Sequence, residues 1–432
     1  MLGGGSFTSQ NKILPGTYIN FVSTARMGSV LSERGVVAVP LVLDWGPEQK
    51  VFEVTNAQFQ KDCLKIFGHP YTADEMRNLR EIFANARKVI CYRMNTGVKA
   101  ENTYAAAKYG GARGNDIKIV ISANVEDESK FDVKTLLDLQ EVDRQTVAAA
   151  SELVDNDFVE FKKDVELAET AGMDLTGGTD GEKVTGAEHS AFLAAVESYT
   201  FHILCCPVTD DVTKGLYAAF TKRMREEAGV KFQTVMFQKA DADYEGVISV
   251  QNEAEELEQG LVYWTAGAEA ACAVNKSNEN RVYNGEYTVD TSYTQAQLEA
   301  GIRAGQFLFH KVGDEVRVLV DMNTLTSYTE EKGEDFANNQ TIRVLDQIGN
   351  DIAVMFNTKY LGKVPNTESG RISWWNDIVT YNRKLETIGA IEDVNPEEIT
   401  VQRGEKKRAV VVRNPVTPVN CMSQLYMTVL VE

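Results

Sequence analysis

The stretch PVTPVNCMSQLYMTVLVE, residues 415–432, limits what this chain can fold into more than any other stretch. Pro415 and Pro418 exclude a helix at its start, because proline lacks a backbone N–H and fixes φ. Beyond them, apolar residues recur at every second position, as on one face of a strand: Leu425, Met427, Val429 and Val431. An exposed apolar strand promotes aggregation unless a partner covers it. We therefore expect this segment to pair with another strand.

The bulk composition is typical of a folded protein with several domains. A chain of 432 residues exceeds one ordinary hydrophobic core, so about two to four domains are expected. No apolar run is long enough to span a membrane, and the opening residues MLGGGSFTSQNK lack the order of a signal peptide. A cytoplasmic product is therefore expected. The net charge of -19 disfavours nucleic acid or anionic lipid as the main partner, and it makes copies of the chain repel one another.

The sequence shows no pattern typical of a catalytic, cofactor or metal site. Walker, GxSxG and HExxH motifs are absent, and we interpret His202 as a core residue in an apolar strand. The six cysteines form no CxxC pair, so buried free thiols are expected. GGARGN (110–115) indicates a tight turn. DADYEG (241–246) resembles half of a calcium loop, but Asn252 replaces the required glutamate, so a hairpin turn is expected there.

Local patterns predict strands and helices over most of the chain. Thr72 and Glu75 have capping-box spacing, which predicts a helix over 73–86. Residues 95–185 contain short strands and frequent turns, which indicates an inserted and mainly β domain. Two long amphipathic helices are expected at 335–361 and 371–388.

Two features of the last third concern contacts with other molecules. Trp374 and Trp375 are adjacent on a predicted helix and cannot both face one core, so one is expected to meet a neighbouring chain; a stacking platform for a ligand is the alternative. The basic stretch GEKKR (404–408) lies in a predicted hairpin turn. It is either a solvated turn or a contact with an acidic partner.

Four stretches resemble the contractile tail sheath proteins of phages and phage-derived particles, in the short type found in Gram-positive hosts. They are PGTYINF with RGVVAVPLVLDWGP; ADYEGVISVQN with YWTAGAEAACA; EVRVLVDMNTLTSYTEEKGEDFANNQTIRVLDQIGNDI with YLGKVPNTESGR; and IGAIEDVNPEEITVQRGEKKRAVVVRNPVTPVNCMSQLYMTVLVE. The likeness covers most of the chain and is weakest over 95–185. It implies a structural subunit that is not an enzyme.

The resemblance and the local patterns together predict an α+β or α/β multidomain fold with extended β arms at both ends. The expected parts are an N-terminal arm (1–22), a middle α/β domain (23–94 and 186–284), an inserted β-rich outer domain (95–185), a C-terminal inner domain that faces a tube (285–414) and a C-terminal arm (415–432).

The resemblance also implies that the terminal arms of one subunit complete a sheet in its neighbours, which is a form of strand addition. The expected arm residues are Tyr18, Ile19, Phe21, Leu425, Met427, Val429 and Val431. The expected acceptors are valines of two predicted hairpin strands, 315–321 and 407–413: Val316, Val318, Val320, Val410 and Val412. Basic residues of the second amphipathic helix are the candidates for contact with the inner tube: Arg371, Arg383 and Lys384.

Such a sheath implies a defined set of partners and a mechanism. The expected partners are further copies in a helical homopolymer of stacked hexameric rings, the inner tail tube protein, and baseplate and tail-terminator proteins, without direct nucleic acid, membrane insertion or a cofactor. The particle would be a virion or a phage-tail-like particle, such as a contractile injection system or a bacteriocin, assembled in the host bacterial cytoplasm. Contraction from a metastable extended state would drive the tube through a cell envelope without nucleotide hydrolysis. Two alternatives stay open: another self-assembling filament or shell protein, and an enzyme with a thiol or carboxylate site.

Overall fold

The computed structural model describes residues 31–431, so the strand expected at 15–21, with Tyr18, Ile19 and Phe21, lies outside the described residues. The strands in chain order are β1 (Val36–Leu41), β2 (Val51–Thr55), β3 (Lys88–Arg93), β4 (Ala105–Ala107), β5 (Ile117–Ala123), β6 (Phe131–Leu137), β7 (Gln140–Val147), β8 (Val159–Phe161), β9 (Thr170–Asp174), β10 (Ile203–Cys206), β11 (Gln233–Phe237), β12 (Val247–Val250), β13 (Gln306–Phe307), β14 (Phe309–Val312), β15 (Glu315–Val318), β16 (Ile391–Glu392), β17 (Thr400–Arg403), β18 (Val410–Arg413) and β19 (Thr417–Pro418). The helices are α1 (Asn56–Phe67), α2 (Arg77–Phe83), α3 (Gly186–Val196), α4 (Asp211–Arg223), α5 (Leu261–Ala271), α6 (Gln295–Arg303), α7 (Asn339–Lys359) and α8 (Glu368–Thr387).

A seven-stranded sheet with the order β13-β12-β11-β10-β1-β3-β2 forms the centre of the molecule. All neighbouring strands run parallel except β2, which is antiparallel to β3. Strands such as VVAVPL are buried at every position, as expected for a parallel sheet covered on both faces. Pro40 is tolerated inside β1 because the pairing of β1 with β10 involves only Val37 and Ala38.

Helices cover both faces of this sheet, which gives a three-layer α/β arrangement. On one face, α1, α2 and α5 contribute Phe59, Ile82 and Trp264 to the core. On the other face, α3 and α4 contribute Phe192 and Tyr217. The strands belong to two stretches of chain, 36–93 and 203–307, so the sheet joins residues that a long insertion separates.

The alanine-rich helix α5 approaches α2 closely, and Gly267 lies at the contact. A Cβ atom at this position would lie 2.3 Å from the backbone oxygen of Ile82. We therefore expect Gly267→Ala to force the two helices apart and to destabilise the fold by about 1–3 kcal/mol, as overpacking does. Gly215→Ala on α4 is the matched control, because nothing lies within 4 Å of its Cβ position.

Gly215→Ala should raise the free energy of unfolding by about 0.5–1 kcal/mol, because alanine in place of glycine reduces the conformational freedom of the unfolded chain. Thermal unfolding followed by circular dichroism gives the comparison. Equal midpoints for the two variants would contradict close packing of α2 on α5.

The segment between β3 and α3 is built mainly of strands. It forms a four-stranded antiparallel sheet, β7-β6-β5-β9, and a two-stranded pair, β4-β8. Alternate residues of β5 point into its own hydrophobic cluster: Ile117, Ile119 and Ile121. The expectation of a mainly β segment here agrees with the structure.

The C-terminal third contains two long helices and two small sheets. Asn338 and Thr367 cap α7 and α8 through their side chains. The pairs β16-β19 and β17-β18 are antiparallel, and they pack with α7 and α8 around the cluster that contains Trp374 and Leu385.

Two local predictions are wrong. Thr72 does not cap a helix. A 3₁₀ turn at Asp74–Met76 precedes α2, and the N-cap of this turn is Ala73. Capping boxes occur instead at other threonines: Thr55, Thr185 and Thr294. The stretch 241–246 is not a hairpin turn, since β11 and β12 run parallel.

The prediction of buried thiols holds for five of the six cysteines, and Cys421 is exposed. His202 is partly buried and lies just before β10, and its Nδ1 accepts a hydrogen bond from the Val36 backbone N–H at 3.3 Å, so its polar group is satisfied. Burial lowers the pKa of His202 to about 3, so the ring is neutral.

Within residues 31–431, no helix combines the length and the apolar character that crossing a membrane requires. The same residues contain no group of three or more side chains arranged to hold a metal ion.

Candidate inter-subunit interface

The chain leaves β19 through a short stretch that is fixed to α7. Gln340 donates a hydrogen bond from Nε2 to the Val419 carbonyl and accepts one at Oε1 from the Cys421 N–H, both at 2.9 Å. The Val419 N–H donates to the Ala390 carbonyl at 3.0 Å. The hydroxyl of Ser423 contacts Glu279. The start of the C-terminal segment therefore has a defined position on its own subunit.

Residues 424–431 have a different environment, because they project away from the rest of the described chain. Their apolar residues are strongly exposed: Leu425 85%, Met427 72%, Val429 69% and Val431 93%. The segment forms no strand with residues 31–431, so the predicted terminal strand lacks a partner within its own subunit. We call residues 424–431 the terminal arm. It is a long run of exposed apolar side chains, which soluble proteins avoid unless another molecule covers them.

The hairpin β17–β18 lies nearby on the same part of the fold and has an open edge. Its register pairs Thr400 with Arg413 and Arg403 with Val410. One face of the hairpin rests on α8, where Val401 and Val410 contact the hydrophobic cluster. In the described part of the chain, β18 pairs only with β17. The other edge of β18 is therefore available for a further strand.

The hydrogen-bond pattern identifies which groups of β18 face this open edge. Gly404 donates its backbone N–H to the Ala409 carbonyl at 2.9 Å, so this is a hydrogen-bonded pair. Such pairs alternate along an antiparallel ladder. Val411 therefore bonds to β17, while the backbone N–H and C=O groups of Val410 and Val412 point to the open edge. Val410 and Val412 are two of the acceptor residues that the sequence analysis predicts.

The other predicted acceptor strand is not available, which corrects the sequence analysis. Strand β15 pairs with β14 on one side. On its other side, the Tyr283 N–H donates to the Val316 carbonyl at 2.8 Å and the Val318 N–H donates to the Arg281 carbonyl at 2.9 Å. Val320 lies beyond the end of β15. Val316, Val318 and Val320 therefore lack the free edge that an added strand needs.

The two tryptophans lie in different environments, and the expected contact of one of them with a neighbouring chain stays a prediction. Trp374 is buried and its ring lies 4.7 Å from that of Tyr360. The indole Nε1–H of Trp375 donates to the Ile399 carbonyl at 2.9 Å, next to β17. Trp375 thereby helps to hold the hairpin on α8, and it is only partly buried.

The three candidate residues for tube contact do not share a face of α8. Arg371 and Arg383 are separated by about 120° around the helix axis, and Arg383 and Lys384 by about 100°. Arg371 bonds through its guanidinium to the backbone and side-chain oxygens of Asn366 at 3.1 and 3.0 Å. Arg383 is exposed near the other end of the helix. A single surface of α8 therefore does not present all three.

Arg371 lines a cleft of about 800 Å³ between the α7–α8 connection and the β17–β18 turn. Basic side chains form much of its rim: Lys363, Lys406, Lys407 and Arg408. Aromatic rings form one wall: Phe356, Tyr360 and Trp374. The GEKKR turn therefore lies at the mouth of a cleft beside β18, and it is locally basic in a chain with a net charge of -19.

Family models for phage tail sheath proteins match nearly the whole of the described chain. They are the N-terminal region of domain III of tail sheath protein Gp18 over residues 34–94, the β-sandwich domain over 95–180, the central domain over 182–324 and the C-terminal domain over 331–432. The open hairpin and the terminal arm both fall in the last of these regions.

Individual proteins give the same result. The chain is 34% identical over 469 residues to the phage-like element PBSX protein XkdK of Bacillus subtilis, covering 99% of both chains. A crystal structure of a sheath tail protein from Desulfitobacterium hafniense is 38% identical, with a TM-score of 0.82 over 93% of this chain and 96% of that one. The helical sheath of the anti-feeding prophage in the contracted state matches at 12% identity with a TM-score of 0.54 over 96% and 98%, a likeness of fold alone.

Proposed function

The chain belongs to the phage tail sheath protein family, and on that premise we propose that it is the structural subunit of a contractile tail sheath. Copies polymerise as a helical array of stacked hexameric rings around an inner tail tube, and neighbours are joined by exchanged strands. The particle is a phage tail or a phage-tail-like particle assembled in the bacterial cytoplasm. Baseplate and tail-terminator proteins bind the two ends of the array.

The observation that carries this proposal is the terminal arm, whose apolar side chains are exposed while the edge of β18 is unpaired in the described residues. Gln340 fixes the chain at Val419 and Cys421, just before the arm, so the arm begins at a defined point of the surface. Addition of the arm to the β18 edge of the next copy would satisfy the backbone of both strands.

Geometry then determines the form of the assembly. Each subunit would give one arm and receive another at a different surface, which is a head-to-tail contact. Head-to-tail contacts that do not close into a ring propagate as helical filaments. The N-terminal segment with Tyr18, Ile19 and Phe21 is the second arm of this proposal, on the strength of its sequence.

Contraction in this scheme needs no nucleotide hydrolysis and no catalytic residue. A strand exchanged between subunits holds neighbours together while their remaining contacts change. Each ~1.4 kcal/mol gained per subunit contact biases the contracted state tenfold, so a modest gain suffices over a long array. Contact with the tube belongs to the C-terminal part of the chain, with Arg371, Arg383 and Lys384 as separate candidates.

Electron microscopy of the purified protein tests the proposal, with a variant aimed at the open edge. Val412→Pro removes an outward backbone N–H without removing a bond to β17, and proline is tolerated on the free side of an edge strand. We expect this variant to fold. The amount that assembles into hollow tubes, measured by pelleting, should fall at least tenfold. Val412→Thr keeps both the N–H and the β-branched shape, so this control should assemble.

Tubes formed equally well by both variants would exclude the β18 edge as the acceptor. Solid filaments or closed shells from the unmodified protein would favour a different self-assembling structure over a sheath.

A further inference from the structure

The central sheet changes its winding direction between β1 and β10. On one side of β1 lie β3 and then β2, whereas on the other side lie β10, β11, β12 and β13 in turn. In open α/β sheets, ligands bind outside the carboxyl ends of the strands at such a switch point. This location is far from the arm and the hairpin in sequence, and its consequences do not depend on the proposed function.

A cleft of about 300 Å³ lies at this switch point. Residues that follow the carboxyl ends of three adjacent strands form its floor: Leu43 after β1, Met94 after β3 and Val208 after β10. Helices α2, α3 and α5 supply its walls through Leu79, His189 and Tyr263. Its volume is that of about ten water molecules and lies at the lower end of the range for small-molecule sites.

Two buried polar side chains line the cleft with hydrogen-bonding groups to spare. Tyr263 is 8% exposed, and its hydroxyl makes no hydrogen bond with residues 31–431. His189 is also 8% exposed, and its Nδ1 is 2.8 Å from the Tyr217 hydroxyl, which leaves Nε2 without a partner in the described chain. Neither atom is sealed in the core, so a molecule that enters the cleft can reach both of them.

The charges around the cleft restrict the class of ligand. Its lining residues include no lysine or arginine, and Glu75 on the rim would repel an anion. Burial lowers the pKa of His189, against the opposing influence of Glu188 and Asp210, so its ring is neutral near pH 7. Asn78 adds an amide, whose Oδ1 accepts a hydrogen bond from Tyr287. The other lining residues have apolar side chains.

We propose that this cleft is a binding site for a small uncharged molecule with an apolar body and one hydroxyl or carboxamide group. The apolar body would contact Leu79, Met94 and Val208. The polar group would bond to the Tyr263 hydroxyl and to His189 Nε2. Since the ligand would touch strands of the sheet and helices on both of its faces, it would stabilise the folded subunit by mass action.

Benzamide is a suitable probe, and benzoate, which has the same shape but a negative charge, is the matched comparison. Binding to the full chain can be measured by saturation-transfer NMR and by the thermal unfolding midpoint. We expect benzamide to bind and to raise the midpoint in proportion to its concentration. Benzoate should bind at least about tenfold more weakly, because one uncompensated charge near Glu75 costs on the order of 1.4 kcal/mol.

Tyr263→Phe isolates the polar contact, since it removes only a hydroxyl that bonds to nothing in the described protein. The variant should unfold at the same temperature as the unmodified chain and bind benzamide about fivefold more weakly, the effect of one hydrogen bond. Tyr328→Phe, at a half-exposed position outside the cleft, should leave binding unchanged. Absence of benzamide binding, equal binding of benzoate, or unchanged affinity in Tyr263→Phe would each overturn the proposal.

Discussion

Deletion of residues 424–432 should produce a folded subunit that no longer assembles into sheaths. The anchoring bonds of Gln340 to Val419 and Cys421 lie outside the deletion. The hydrogen bond within the deleted stretch, from Tyr426 to Gln424, is internal to it. The unfolding midpoint should therefore stay within about 2 °C of the unmodified protein, as for surface changes generally. Assembly, measured by electron microscopy and sedimentation, should fall below detection.

The truncated subunit also gives a sharper test, because it retains the β18 edge. Mixed with intact subunits, it should accept their arms without offering one of its own, and so end their growth. Sheath length should then shorten in proportion to the truncated fraction. The same deletion combined with Val412→Pro can neither give nor accept an arm, and this control should leave sheath length unchanged. Full-length sheaths formed by truncated subunits alone would refute the exchange of the terminal arm.

Arg343→Leu should be strongly destabilising, because Arg343 is the cation of a buried cluster between α5 and α7. Its Nη2 donates to Glu269 at 2.6 Å and to Asp321 at 3.1 Å, and its Nη1 to the Lys276 carbonyl at 2.8 Å. Arg343, Glu269 and Asp321 are each no more than 1% exposed. Leucine would leave two buried carboxylates without their cation, a change that costs about 3–5 kcal/mol.

The matched control is Arg303→Leu, since Arg303 pairs with Glu299 on the exposed surface of α6. Exposed pairs of this kind contribute at most about 0.5 kcal/mol. Thermal and denaturant unfolding of both variants give the comparison. A loss for Arg343→Leu no greater than that for Arg303→Leu would show that the cluster does not stabilise the α5–α7 contact.

The loss of unfolding free energy caused by Arg343→Leu, its deficit, should also depend on pH. Even with the arginine present, burial and the nearby Asp321 raise the pKa of Glu269 to about 7. A carboxyl group whose folded pKa lies above its unfolded value destabilises the fold as pH rises from the unfolded value through the folded one. Because loss of Arg343 removes the cation that opposes this shift, the deficit should be larger at pH 8 than at pH 5. A deficit that grows on acidification would contradict this assignment.

Much of the local structure could be predicted from the sequence, because short-range patterns reflect short-range physics. Asp210 caps α4 through two backbone N–H groups, and Gly229 follows the helical segment with a left-handed φ of 75°; both residue types are typical of these positions. The hairpin at β14–β15 turns around Gly313, whose φ is 61°. In each case a residue acts on the backbone a few positions away, so no distant partner is needed.

The candidate interface was only half predictable. The alternation of Leu425, Met427, Val429 and Val431 identified the arm. The same pattern on β15 and β18 could not show that residues 281–283 already cover the edge of β15, leaving β18 open. A strand's sequence determines which of its faces is apolar, whereas the availability of its edge depends on which other segment lies alongside it.

Sequence alone thus indicated the two long helices α7 and α8, the mainly β insertion and an apolar terminal segment in need of a partner. Only the tertiary structure decided that β11 and β12 run parallel, that Trp375 holds the β17–β18 hairpin through Ile399, and that Arg343 is buried with two carboxylates. The reason is that these features join residues far apart in the chain. Their free energy arises from burial and hydrogen bonding between segments, which no local pattern encodes.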